Sequence, residues 1–287
     1  MKYCNKINKS YEKYIIQIAE KKYPKVRERT YSLTYYLKNF ELVLSKLVQW
    51  ESLKLIKGYP VNKIFHWKSI QNEFNKWSND NIFKDAYKLF LKENYFKINK
   101  IKKSSKINLF IDASYISNKY GEEMISKSYF DKKHHYTKIS ILSDEHKNIL
   151  SIIPVTESYY KDGNRMSFKS DISSVQETIN NFLLDTKNIN ICGDKGYIND
   201  KKRYIHKNSK KEKIKLITCK RKNQKIKNSD EDKIILKKRY VVENSFNELK
   251  NAERIRTRKD RTINNFLSFA YLQCFINFSK KYAKKIT

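Results

Sequence analysis

The rhythm of apolar residues changes near residue 100. Before that point the spacing is helical. Leu33, Tyr36, Leu37, Phe40, Leu44, Leu47 and Val48 predict a helix over 31–48, and a second short helix is expected over 50–57. Gly58-Tyr59-Pro60 breaks the pattern. A helix over about 64–78 follows, with Trp67, Ile70, Phe74 and Trp77 at i, i+3, i+7 and i+10, and another covers about 81–93. Residues 1–25 read as polar and basic, with one apolar patch over 14–19.

Beyond the basic connector 97–106 the pattern becomes strand-like. Runs over 107–116, 136–142, 149–155 and 189–192 read as strands, and 214–218 as a fifth. The polar run 144–148 is the turn of a hairpin, so the second and third strands are antiparallel. Ser170 or Asp171 caps a helix over 172–184. Two further helices are expected, over 239–250 and 263–278. The organisation is therefore an all-α domain over 1–98 and an α/β domain over 99–287 that ends in an apolar helix.

Charge narrows the class. The 287 residues carry 62 Lys and Arg against 30 Asp and Glu, a net +32, which calls for a polyanionic partner, nucleic acid first. The abundance of Lys, Asn, Ile and Tyr also fits AT-rich coding, which would raise the Lys count without selection for binding. No apolar run approaches a membrane span and no signal-peptide pattern opens the chain, so a soluble intracellular protein is expected. Cys4, Cys192, Cys219 and Cys274 lack metal-finger or paired spacing and read as isolated thiols.

Within this frame three acids stand out. Asp112 interrupts an apolar strand after Leu109-Phe110-Ile111, Asp194 follows a buried strand between Gly193 and Gly196, and Glu243 lies on the helix over 239–250. A carboxylate inside an apolar strand is costly to desolvate unless it is paired or binds a cation. Taken singly, each acid also reads as a strand-end cap, a turn residue or one half of a surface Arg-Glu pair. The element order, with one acid on the first strand, one after the fourth and one on a late helix, is that of an RNase H-like domain. Acids brought together there repel, and hard oxygen-seeking cations relieve the repulsion: Mg²⁺, two ions, with Mn²⁺ as a substitute.

Ile111-Asp112-Ala113-Ser114, Gly193-Asp194-Lys195-Gly196-Tyr197 and Arg239-x3-Glu243-x6-Lys250 together resemble the DDE transposases of insertion-sequence families four and five, in the retroviral-integrase superfamily. Arg254-Ile255-x2-Arg258, Phe266-x2-Phe269-Ala270, Trp50, Phe74-x2-Trp77 and Phe83 extend the resemblance over most of the chain. The family-four signature has Tyr three residues before the Arg; Leu236 occupies that position here, which favours the family-five branch.

The resemblance implies a five-stranded mixed sheet flanked by helices, behind an all-α, helix-turn-helix-like domain. It makes Asp112, Asp194 and Glu243 the catalytic and metal-binding triad of an enzyme that cuts and joins double-stranded DNA at inverted-repeat ends and target sites. Arg239, Lys250, Arg254 and Arg258 would contact phosphates, and a homodimer or larger synaptic complex is implied. Lys68, Gln71 and Asn72, with Asn75 and Lys76, lie on the polar face of the helix over 64–78 and suit base reading; a dimerisation module is the competing reading. Tyr197 and Tyr240 are expected in the core, and His134 and His135 on the surface or in a turn. A related nuclease without strand transfer, or a DNA-binding protein that has lost catalysis, would share these features.

Overall fold

In the computed structural model, residues 9–24, 31–45, 49–55, 66–127, 131, 133–155, 157–159, 166–168, 171–184, 186, 188–197, 204–207, 212–219 and 227–282 are described. The Gly58-Tyr59-Pro60 break, the cap at Ser170 and much of the basic segment 201–227 lie outside them.

The helices are α1 (Lys9–Lys22), α2 (Leu33–Ser45), α3 (Trp67–Asn79) and α4 (Ile82–Asn99), with a 3₁₀ helix over Trp50–Leu55. There follow β1 (Ile107–Asn118), β2 (Ser126–Lys127), β3 (His135–Asp144), β4 (Ile149–Pro154), β5 (Glu157–Tyr159), β6 (Met166–Phe168) and α5 (Asp171–Asn180). Then come β7 (Ile189–Gly193), β8 (Tyr204–Lys207), β9 (Glu212–Thr218), α6 (Asp230–Lys237), α7 (Tyr240–Lys250), α8 (Glu253–Arg256) and α9 (Ile263–Tyr282).

The short β2, β5, β6 and α8 escape the periodicity reading, and so do three further elements. The basic segment before the hairpin end of the sheet hides β8, which pairs antiparallel with β9. Helix α1 occupies the stretch read as polar, because Tyr11, Tyr14, Ile15 and Ala19 form one buried stripe among charged neighbours. Helix α6 has no buried residue, so no apolar stripe announces it; Ser229 caps it by accepting from the Asp232 amide.

The chain forms two compact units, residues 1–98 with 249–287, and residues 99–248. This corrects the expected grouping of α9 with the strands. The first unit is packed around aromatic rings. Phe40 meets Trp50, Phe74, Trp77 and Phe83 at ring-centre distances of 5.0–6.3 Å. From α9, Phe269 stacks on Phe74 at 4.2 Å, while Phe275 and Phe278 close on Phe90 at 5.4 and 4.9 Å. Each such buried ring contributes about 1.5–3 kcal/mol, enough to draw a distant segment of chain into this core.

The second unit is built on a mixed sheet in the order β2-β3-β1-β7-β9-β8, with β4 also on β3. Strands β1, β7 and β9 are parallel, while β3 is antiparallel to β1 and to β4. The inner order β4-β3-β1-β7-β9 is RNase H-like. Side chains alternate between the faces of a strand, so Asp112 and Ala113 point to opposite sides. Helix α5 covers the Ala113 side: Thr178 donates to Ser140, the partner of Ala113, at 2.9 Å, and Ser151 donates to the Thr178 carbonyl at 2.7 Å. Helix α6 serves the other side, where Lys215 of β9 pairs with Asp232 at 2.6 Å. The hairpin turn 144–148 forms as expected. The Asp144 carboxylate accepts from the amides of His146 and Asn148, and Lys147 takes a positive φ of 63°.

Candidate active site

Parallel pairing of β1 and β7 runs from Ile107↔Ile189 to Phe110↔Cys192. Carried two residues further, this register sets Asp112, midway along β1, level with Asp194, just past the end of β7, on one face. Gly193 shows how close the approach is. A Cβ there would lie 3.1 Å from Ile111 Cγ2 and 2.9 Å from the ring of Tyr197, which is fully buried. The glycine thus keeps β7 against β1 at the level of the aspartates. Asp194 is oriented by the Gly196 amide, which donates to its Oδ1 at 2.7 Å, and Asp112 Oδ1 accepts from the Ala113 amide at 2.9 Å. Cys219 continues the row, because it follows Thr218, the partner of Gly193 on β9. Only the register of the sheet places this thiol there; no spacing in the sequence points to it.

Glu243 stands on α7. The Cys192 thiol, two residues before Asp194, is pushed up to about 12 by burial and by the neighbouring Cys219, and feels the charges of Arg239 and Asp232. The segment around α7 is tied down by Lys238 donating to Glu145 at 3.2 Å and by Glu248 pairing with Lys147 at 3.6 Å. Arg239 stands in the turn between α6 and α7, one residue before the helix begins, and not inside the helix as expected. From there it donates to Glu243 Oε1 at 2.9 Å. The Glu243 side chain is 53% exposed. The two aspartates are brought level, and Glu243 is held by Arg239. Among the described residues, no three His, Cys, Asp or Glu side chains converge closely enough to hold a metal.

Several expected DNA contacts are placed differently. Arg254 is buried in the helical unit, with both guanidinium bonds on Asp260, at 2.7 and 3.2 Å, and its plane over Phe269 and Trp50. Arg258 is wholly buried and donates to the carbonyls of Asp260 and Arg261. Both are structural ties and not phosphate contacts, because each guanidinium is consumed by partners inside the core. Lys250 is half-buried at the end of α7. On α3, Lys68 and Asn72 are exposed and Gln71 is half-exposed, but Asn75 accepts from Asn265 of α9 at 2.8 Å and does not face outward as expected. Tyr197 is in the core as expected, whereas Tyr240 is 58% exposed, against expectation. His134 is exposed in a turn.

The strand order and the level aspartates define an RNase H-like domain. Residues 161–263, which include Asp194 and Glu243, match the family described as "Transposase DDE domain". That stretch is thus similar to a DDE transposase domain. Among solved structures, it is similar to the cryo-EM structure of the piggyBac transposase synaptic complex with hairpin DNA, at 11% identity and a TM-score of 0.47, over 94% of this chain and 71% of that one. No curated protein matches the sequence. No helix among the described residues is long and apolar enough to cross a membrane.

Proposed function

We propose that this chain is a transposase that cleaves DNA at the ends of a mobile element and joins them to a target, using Asp112, Asp194 and Glu243. The observation that carries the reading is the parallel register of β1 and β7, which, carried two residues on, sets Asp112 in the middle of β1 level with Asp194 just past the end of β7. The donor set fits a hard divalent cation such as Mg²⁺ or Mn²⁺, since it is all carboxylate oxygen and no described cation is paired with Asp194. Such ions, when bound, supply activation of the attacking hydroxyl and stabilisation of the leaving oxygen.

The residues have distinct tasks. The Gly196 amide holds Asp194 in one orientation, and Asp112 is fixed by its place in the middle of β1. With the two aspartates, Glu243 would hold the cation, and Arg239, which now donates to it, would then be free to clamp a phosphate with its planar fork. Lys250, the last residue of α7, adds a second phosphate contact. Lys68, Gln71 and Asn72, on the outer face of α3, read the element's end, and the chain acts as a dimer or larger assembly on double-stranded DNA.

The test uses the full chain with D112N, D194N and E243Q. Each should lower divalent-dependent nicking and joining of end-bearing DNA by at least about 10²-fold, as expected for loss of a group acting on the reacting phosphate. Binding to the same DNA should stay within a few fold. Wild-type rates in any of the three would remove that residue from the site. Nicking without joining by the wild-type chain would make it a nuclease instead.

A further inference from the structure

Strand β1 does not end at the catalytic level. It continues to Asn118 and stays paired with β3 as far as Ser117↔Tyr136, whereas its pairing with β7 ends at Phe110↔Cys192. The β1–β3 ribbon, with β2 added along Ser126↔Tyr136 and Lys127↔His135, therefore extends past the aspartates without that neighbour. Directly paired residues share a face, and His135 falls level with Asn118, six residues beyond Asp112 (118 − 112 = 6). An even offset keeps the face, so Lys127 and His135 stand on the side of the sheet that bears Asp112.

The adjoining turn is built. Asp131 accepts from the hydroxyl of Tyr136 at 2.7 Å, from His134 Nδ1 at 2.7 Å, and from the amides of Lys133 and His134 at 2.9 and 3.3 Å. These donors hold its carboxyl well below the usual range, the Tyr136 bond most strongly. The one acid of the turn is thus spent on shaping it. The Asp131 bond fixes His134 through Nδ1, with 73% of its side chain exposed. Lys127, Lys133 and His135 are exposed, and neither lysine has an ion-pair partner among the described residues. Glu122 and Glu123, on the connection from β1 to β2, are the other acids of the ribbon.

We infer that Lys127 and His135, with Lys133 and His134 of the turn, form a phosphate clamp that holds the backbone of duplex DNA lying across the Asp112 face, beside the bond being cut. This rests on the DNA-processing reading above. Six strand residues span about 20 Å at ~3.3 Å each. At 3.4 Å per base pair, the clamp meets the backbone about six base pairs from the reacting phosphate.

The experiment titrates the full chain with a fluorescent random-sequence duplex over a salt series. Wild type is compared with K127A/K133A and K127E/K133E, all checked for an unchanged melting temperature. The log–log salt slope should fall by about 0.9 for each lysine removed, hence by about 1.8 for the alanine pair, and further for the reversal. A neutral methylphosphonate about six base pairs from the mapped cut should weaken the wild type but leave K127A/K133A unaffected, as expected when lysines and phosphate form one contact. An unchanged slope in both variants, with a steep wild-type slope, overturns the clamp and leaves the DNA reading standing. A wild-type chain whose binding ignores salt overturns both.

Discussion

At the scale of single residues, Gly193 shows how a backbone position secures a site. Its missing Cβ leaves room for the Tyr197 ring and Ile111 Cγ2 on either side of the aspartate level. Tyr197 is fully buried and cannot swing away. Gly193→Ala should therefore cost about 1–3 kcal/mol through overpacking, read as a lower denaturant midpoint at unchanged m-value. Because the strain falls between β1 and β7, the variant should also lose activity at temperatures where it is still folded. A stability equal to wild type would mean the strands part without cost, and the site would be looser than drawn. Arg254 and Arg258 teach the converse. Their basic composition suggests a phosphate-tracking surface, yet Arg254 is bound within the core to Asp260 and packs over aromatic rings.

At the scale of elements, helices α1 and α2 are joined by a titratable contact. Tyr11 donates to Glu41, and burial raises the Glu41 carboxyl from 4.5 to about 7, with Glu12 adding to the rise and the Tyr11 bond and Lys38 opposing it. The folded state thus holds this proton more tightly than the unfolded chain does. The resulting stability is full below about 4.5 and is lost as pH rises through about 7. Glu41→Gln keeps an acceptor for Tyr11 and removes the titration. Thermal melts of the two proteins should agree near pH 4 and diverge above neutrality. There the glutamine variant should be the more stable, by on the order of 1–3 kcal/mol. Parallel melting curves across that range would show that Glu41 titrates as it does in water.

At the scale of the whole molecule, the first unit is closed by a segment more than a hundred and fifty residues away in sequence (249 − 98 = 151). Helix α9 supplies Phe266, Phe269, Leu272 and Phe275, all fully buried. At about 1.5–3 kcal/mol each, their loss exceeds much of a domain's net stability of about 5–15 kcal/mol. A fragment ending at Ile98 should then be a loosely packed helical species, with far-ultraviolet helix signal but no cooperative melt. Joining residues 249–287 to it through a flexible linker should restore a sharp transition. A cooperative melt of the short fragment would show that α1–α4 suffice as a domain. Tests of end recognition by α3 should accordingly use a protein that retains α9.

Periodicity alone settles the elements with a one-faced apolar stripe or an apolar run: α2, α3, β1, β3, β4, β7 and the helix carrying Glu243. Local chemistry fixes these, through periodicity and the turn residues that bound them. The three acids were legible too, because a carboxylate set in an apolar strand, or just after one, is conspicuous in a linear string. What the string lacks is pairing. Register alone sets Asp112, Asp194 and Cys219 in one row, and the same register carries Lys127 and His135 onto the Asp112 face. Burial alone turned Arg254 and Arg258 from surface into core, drew Asn75 toward α9, and left Tyr240 outside. The allegiance of α9 was likewise decided by packing, since an aromatic stripe states that it must be covered but not by which partner.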